Sequence, residues 1–124
     1  MFKFSCKSFV LGFGIAGLGF LPQSVLAADA PAAFKACLTC HKIEAGAKLM
    51  GPSLFGVYGR KAASVADFGY SDVMKASGIT WDDTHLSAFI ADPKATLPGT
   101  KMVFAGLKKP DDVTAVLEYL KTLK

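Results

Sequence analysis

The 124-residue chain is poor in residues that cross-link or metallate a small domain: it has three cysteines and two histidines. Cys6 lies too early to be the lipidated cysteine of a lipoprotein, so Cys37 and Cys40 are the only pair, and a disulfide framework is excluded. A structural zinc site needs four ligands, yet beyond Cys37, Cys40 and His41 there is only the distant His85. No apolar run reaches the roughly 20 residues of a membrane span; the strongest, Phe9 to Leu21, is shorter and broken by glycine. The alternation of a half-buried strand is missing, as are internal repeats and low-complexity linkers. Strong charge is missing too.

What the first residues do contain is a secretory leader. Lys3 and Lys7 make a positive start, Phe9 to Leu21 an apolar centre, and Pro22 to Ala27 a short segment ending in small residues. Cleavage is expected after Ala27, with Val25 and Ala27 in the positions where the peptidase takes small side chains. Residues 1–27 are thus a cleaved signal peptide and 28–124 one small domain. The formal charge of +4, from 14 basic and 10 acidic residues, falls to 12 against 10 when Lys3 and Lys7 leave. A nearly neutral domain gives no case for nucleic-acid binding.

The rest of the chain is organised around Cys37-Leu38-Thr39-Cys40-His41. This is the Cys-x-x-Cys-His signature of covalent haem attachment. On a helical segment, positions i, i+3 and i+4 share a face, so both thiols and the imidazole address one object. The thiols can add to the two vinyl groups of a haem as thioethers while the neutral imidazole of His41 coordinates the iron. A thioredoxin-like pair would need a preceding strand, for which too little chain remains, and a disulfide would rarely join residues so close within a helix. Two propionates would cancel most of the remaining positive charge.

In order, Asp29 can cap a first helix, with Pro31 in its first turn and Phe34 on its apolar face. Ile43 to Gly51 is too interrupted for regular structure, and Leu54, Phe55, Val57 and Tyr58 form an unusually apolar loop expected to lie against an apolar surface. A short helix is predicted from Ser71 to Ser77, stopped by Gly78, with Val73 and Met74 inward. Thr80 with Asp83 reads as a weak capping box for the next helix, whose stripe is Leu86, Phe89 and Ile90 and which ends at Asp92-Pro93. Pro98-Gly99 forces a turn, after which the chain is extended. The last helix starts at Pro110, with Asp111 and Asp112 at its beginning and Lys121 and Lys124 at its end, suited to the helix dipole. Its stripe is Val113, Val116, Leu117 and Leu120. The domain is predicted to be all-α.

A haem with one imidazole needs a second protein ligand or has an open site, and this separates carriers from sensors and oxygen enzymes. The candidates are Met50, Met74, Met102 and His85. His85 sits beside Asp82 and Asp83 as solvated surface, Met74 fits a helix interior, and Met50 lies in a loop as packing filler. Met102 is the choice, because a soft thioether on a proline-glycine loop suits an iron ligand of a high-potential carrier.

With these words the chain resembles the class I cytochromes c of the mitochondrial type and their bacterial relatives, over nearly all of the mature segment. The matching stretches are Cys37 to His41, Gly51-Pro52-Ser53-Leu54, Gly59-Arg60, Gly78-Ile79-Thr80-Trp81 and Leu97 to Gly106. The resemblance implies four to five short helices around one covalently bound haem c, with His41 and Met102 as axial ligands and the Pro52 carbonyl holding the other nitrogen of His41. It places Arg60, Tyr70, Trp81 and Thr100 around the propionates, Phe104 over the exposed side, and Tyr119 and Leu117 in a helix crossing the first. Buried carboxylates need donors, which Arg, Trp NH and Tyr OH supply.

Two departures from the family stand out: Phe89 replaces the usual Tyr, and Met74 replaces an Asn. Both imply a drier pocket around Met102, with opposing effects on potential. Lys94, Lys101, Lys108 and Lys109 match the family's docking lysines, whereas Ala36 and Ala95 do not, so steering should be weaker. The resemblance implies a monomeric, non-enzymatic periplasmic electron carrier cycling Fe(II)/Fe(III). Its donor would be a quinol-oxidising cytochrome complex or a soluble periplasmic dehydrogenase, and its acceptor a terminal oxidase or a photosynthetic reaction centre. A membrane-tethered relay would keep residues 1–27, and a haem gas sensor or peroxidase-like enzyme would leave the iron open.

Overall fold

The computed structural model describes residues 29–124 and, upstream of them, only Gly12, Gly14 and Gly17. The proposed signal peptide and its cleavage site therefore lie outside the described residues. A single 3-10 turn, Ala32–Phe34, runs into α1 (Lys35–Leu38), and four helices follow: α2 (Asp72–Ala76), α3 (Asp83–Ala91), α4 (Pro93–Thr96) and α5 (Pro110–Thr122). Among the described residues there is no strand, only one isolated antiparallel bridge between Lys61 and Thr80. The all-α expectation holds.

Local chemistry explains most of the boundaries. Ser71 caps α2 by accepting the Met74 amide, and Gly78 follows at a φ of +65°, a conformation glycine adopts without steric cost. The start of α3 differs from the expected capping box. Its cap is Asp82, whose carboxylate accepts the His85 amide at 2.9 Å, because Thr80 is drawn into the bridge with Lys61. Asp92 then ends α3 and at once caps α4 through the Ala95 amide at 3.1 Å, a short helix not expected from sequence. Nor does Asp29 cap the first segment. That segment starts at Pro31 with no side-chain cap.

The packing is organised by α5. Its buried stripe, Val116, Leu117 and Leu120, meets α3 through Leu86, Phe89 and Ile90, while Phe34 is fully buried and meets Tyr119 edge-on at 4.6 Å. Burying one such aromatic contributes about 2–3 kcal/mol, and the edge contact adds about 1 kcal/mol. The apolar loop after Gly51 divides: Val57 is buried and Leu54 packs on the core, whereas Phe55 and Tyr58 face solvent. Tyr58 lies outside because its hydroxyl donates to Asp83 at 2.7 Å.

Candidate functional site

The Cys-x-x-Cys-His segment forms the first wall. The Cys37 carbonyl accepts the amides of Cys40 at 3.1 Å and His41 at 2.9 Å, so one tight turn after α1 keeps both thiols and the imidazole on one side. Both thiols are half-buried and form no disulfide. Burial pushes the Cys37 thiol up, with a backbone bond opposing and Cys40 adding a little. It is held as a neutral thiol.

His41 is buried, and its Nδ1–H donates to the Pro52 carbonyl at 2.7 Å. A carbonyl can only accept, so the proton resides on Nδ1 and Nε2 keeps its lone pair. Burial pulls this imidazole below its ordinary pKa; the Pro52 bond opposes that, and the Arg60 charge reinforces it. Gly51 makes the seat. A Cβ there would overlap the His41 ring, so the imidazole lies against bare backbone, which the Gly51 amide fixes by donating to the Cys40 carbonyl at 2.8 Å.

A second wall comes from the segment after the turn at Leu97–Thr100. The Thr100 amide donates to Leu97 at 3.0 Å, Gly99 takes a φ of +91°, and the Thr100 hydroxyl accepts the Met102 amide at 3.3 Å. The chain is then extended until the Leu107 amide donates to Ile90 at 2.9 Å, which ties the Met102 segment to α3. Three of the four ligand candidates border the same space: Met102 half-buried, Met74 buried in α2, and Met50 largely exposed. His85 does not; it lies on the surface of α3, bonded to Asp82 at 2.8 Å.

Between the walls is an apolar cavity of about 580 Å³. All ten residues expected at the site border it: Cys37, Cys40, His41, Pro52, Arg60, Tyr70, Trp81, Thr100, Met102 and Phe104. Arg60 donates from its two terminal nitrogens to the carbonyls of Ser53 and Phe55, both at 3.0 Å, while its buried Nε has no hydrogen-bond partner among the described residues. An unpaired buried guanidinium N–H is costly unless an acceptor meets it. Tyr70 accepts the Val65 amide at 3.2 Å, so its own hydroxyl proton is free to be donated. Phe89 and Met74, both buried, border the same cavity as Met102.

These residues fit a haem on three observations of the structure itself. An apolar volume of this size suits a large ligand, a neutral imidazole with a free Nε2 and a thioether border it from different segments, and so do the polar hydrogens of Arg60 Nε and the Tyr70 hydroxyl, donors a ligand's carboxylates would need. Sequence reasoning found the donors but missed Gly51 as the seat of His41 and Ser53, whose hydroxyl donates to Glu44 and whose carbonyl holds Arg60. Glycine in a Gly-Pro step reads as a turn; its contact with an imidazole ten residues earlier appears only in the folded chain.

The family model described as Cytochrome c matches residues 27–124. Among similar curated proteins, cytochrome c2 iso-2 of Magnetospirillum molischianum is 61% identical over 97 residues, 78% of this chain and 100% of the relative. Cytochrome c2 of Blastochloris viridis is 41% identical over 117 residues, 93% of this chain and 92% of the relative. Among solved structures, cytochrome cH from Methylobacterium extorquens is 46% identical with a TM-score of 0.71, covering 77% of this chain and 97% of that one.

Proposed function

The chain belongs to the cytochrome c family, and from this we propose that it is a soluble, monomeric, periplasmic one-electron carrier and no enzyme. Its cofactor is one covalently bound haem c, as the family implies. When bound, the haem supplies an Fe(II)/Fe(III) couple whose potential the protein tunes. Cys37 and Cys40 would hold it as thioethers, His41 Nε2 and the Met102 sulfur would coordinate its iron, and Pro52 fixes the His41 tautomer. Arg60, Tyr70, Trp81 and Thr100 would face its propionates, and Phe104 would exclude water from the open side.

The observation that carries the reading is the pairing of a tautomer-fixed His41 with a Met102 thioether on one apolar cavity. His41 and Met102 would together fill the positions at which oxygen or peroxide could bind, which is the arrangement of a carrier. Donors such as a quinol-oxidising complex or a periplasmic dehydrogenase, and acceptors such as a terminal oxidase or reaction centre, would dock through exposed lysines including Lys94, Lys101, Lys108 and Lys109. Residues 1–27, with their positive start, apolar centre and small residues up to Ala27, would be removed as a signal peptide on export.

The test is an optical spectrum of the oxidised and reduced protein, wild type against Met102→Ala, with and without carbon monoxide. A weak red band in oxidised wild type that is lost in the variant, with carbon monoxide binding only to the variant, is expected. High-spin bands and carbon monoxide binding in the wild type would refute the carrier and indicate an open iron.

A further inference from the structure

Arg60 is presented to the cavity by a loop that is held from outside. On the inner side, residues 59–60 pair with Trp81: the Gly59 amide donates to the Trp81 carbonyl at 2.7 Å, and the Trp81 amide to the Arg60 carbonyl at 2.9 Å. On the outer side, one residue before Gly59 and two after Trp81, the Tyr58 hydroxyl donates to Asp83 at 2.7 Å. Lys121 of α5 closes the cluster. Its ammonium bonds Asp83 at 3.0 Å and Glu118 at 2.8 Å, and it lies 5.3 Å from the centre of the Tyr58 ring.

The same end of α5 grips the loop a second time, because the Gly56 amide donates to the Leu123 carbonyl at 2.6 Å. That grip falls beside Phe55, whose carbonyl accepts one of the two Arg60 hydrogen bonds. Among the described residues the guanidinium thus has no side-chain partner; carbonyls of its loop hold it, and the loop is held by α5 at Gly56 and Tyr58. An isolated exposed ion pair does little. Here one lysine meets two carboxylates and an aromatic face, and the Tyr58 hydroxyl joins the same carboxylate.

We infer that Tyr58, Asp83 and Lys121 are positioning residues for Arg60: a surface latch between α3, α5 and the 53–60 loop that aims the unpaired Nε–H into the cavity and so tunes the potential of the bound haem. This inference rests on the reading that Arg60 faces the haem's charged groups. Loosening the latch lets the guanidinium swing and water enter, which weakens its field on the iron without removing any charge. A cation near the iron favours the less positive, reduced form, so the latch raises the potential.

The test uses the haem-loaded protein and a double-mutant cycle of Tyr58→Phe, which is neutral and confined to the surface, with Arg60→Gln. Midpoint potentials are measured for all four proteins, and Nε–H exchange of Arg60 by NMR in the two that retain it. Arg60→Gln alone should lower the potential; if it does not, the reading of Arg60 itself fails, and Arg60→Lys, which keeps the charge, checks that a null result is not misfolding. Tyr58→Phe should lower the potential in the wild-type background and leave it unchanged in the Arg60→Gln background. Its Arg60 Nε–H should exchange about fivefold faster, the ratio equivalent to one ordinary hydrogen bond of ~1 kcal/mol. An unchanged potential in Tyr58→Phe, or the same shift in both backgrounds, would overturn the latch while leaving Arg60's own role intact.

Discussion

Gly51→Ala tests the seat of His41 with a single methyl group. Gly51 is buried, and a Cβ there would overlap the His41 ring, with no help available from backbone strain because its φ is ordinary. The ring cannot retreat freely, since its Nδ1–H is bound to Pro52 at 2.7 Å. Forcing a methyl into a packed site costs about 1–3 kcal/mol, and loosening the Pro52 bond about 1 kcal/mol. The smaller conformational freedom of alanine in the unfolded chain returns about 0.4–1 kcal/mol. The net loss is ~2 kcal/mol, which for a domain of this size lowers the melting temperature by roughly 10–15 °C. Gly69→Ala is the control, because its Cβ would meet nothing within 4 Å and its φ is also ordinary; that variant should melt at or slightly above the wild type. Thermal unfolding followed by circular dichroism on the haem-loaded proteins decides it. A Gly51→Ala protein that melts with the wild type, or a Gly69→Ala protein that falls as far, would refute the steric reasoning.

Phe34→Ala removes a fully buried ring and its 4.6 Å contact with Tyr119, and should cost about 3–5 kcal/mol in denaturant unfolding. Gly106→Ala places a Cβ inside the Ala91 carbonyl at a φ of +96°, and since neither backbone can yield, no cooperative thermal transition should survive. The Asp82 carboxyl is held below the usual aspartate range by hydrogen bonds from the His85 amide and ring. A depressed folded pKa means that this stabilisation is present above about pH 3.9 and is lost as pH falls through the folded value. The stability gap between wild type and Asp82→Ala, from urea titrations across pH, should therefore be open at neutral pH and close in acid. Removing the cofactor by Cys37→Ser with Cys40→Ser should abolish most helical circular dichroism; a native-like spectrum with a sharp melt would contradict it.

The helices were legible wherever one local signal acted alone. Ser71 before α2, Pro110 at the start of α5 and the stripe Val116, Leu117, Leu120 all appear where propensity and period place them. Misreadings arose where tertiary pairing overrode a local signal. Thr80 looks like a cap in sequence but pairs with Lys61, so the capping passes two residues on to Asp82. Tyr58 looks apolar in sequence but turns outward to serve Asp83. The residues of the cavity were visible because chemistry demands particular side chains at fixed spacing; Gly51 was not, because its requirement is a missing atom.

That contrast follows from how little of the core is separate from the site. Of the ten buried apolar residues among those described, eight border the cavity: Val57, Met74, Trp81, Leu86, Phe89, Ile90, Val116 and Leu120. Only Phe34 and Leu117 pack away from it, at the crossing of the 3-10 turn with α5. A domain of about 100 residues has little apolar surface to spare, so the walls of this cavity are its core, and a large apolar group between them completes the packing that side chains alone do not. Stripe positions on α3 and α5 are consequently held by two demands at once, helix packing and contact with the bound group. Phe89 shows the result: its ring packs on Trp81 at 5.1 Å while also bordering the cavity that Met102 borders. Adding a hydroxyl in Phe89→Tyr would therefore perturb the core and the Met102 environment together, and a potential and Met102 retention identical to wild type would mean that this wall does not sense the ligand at all.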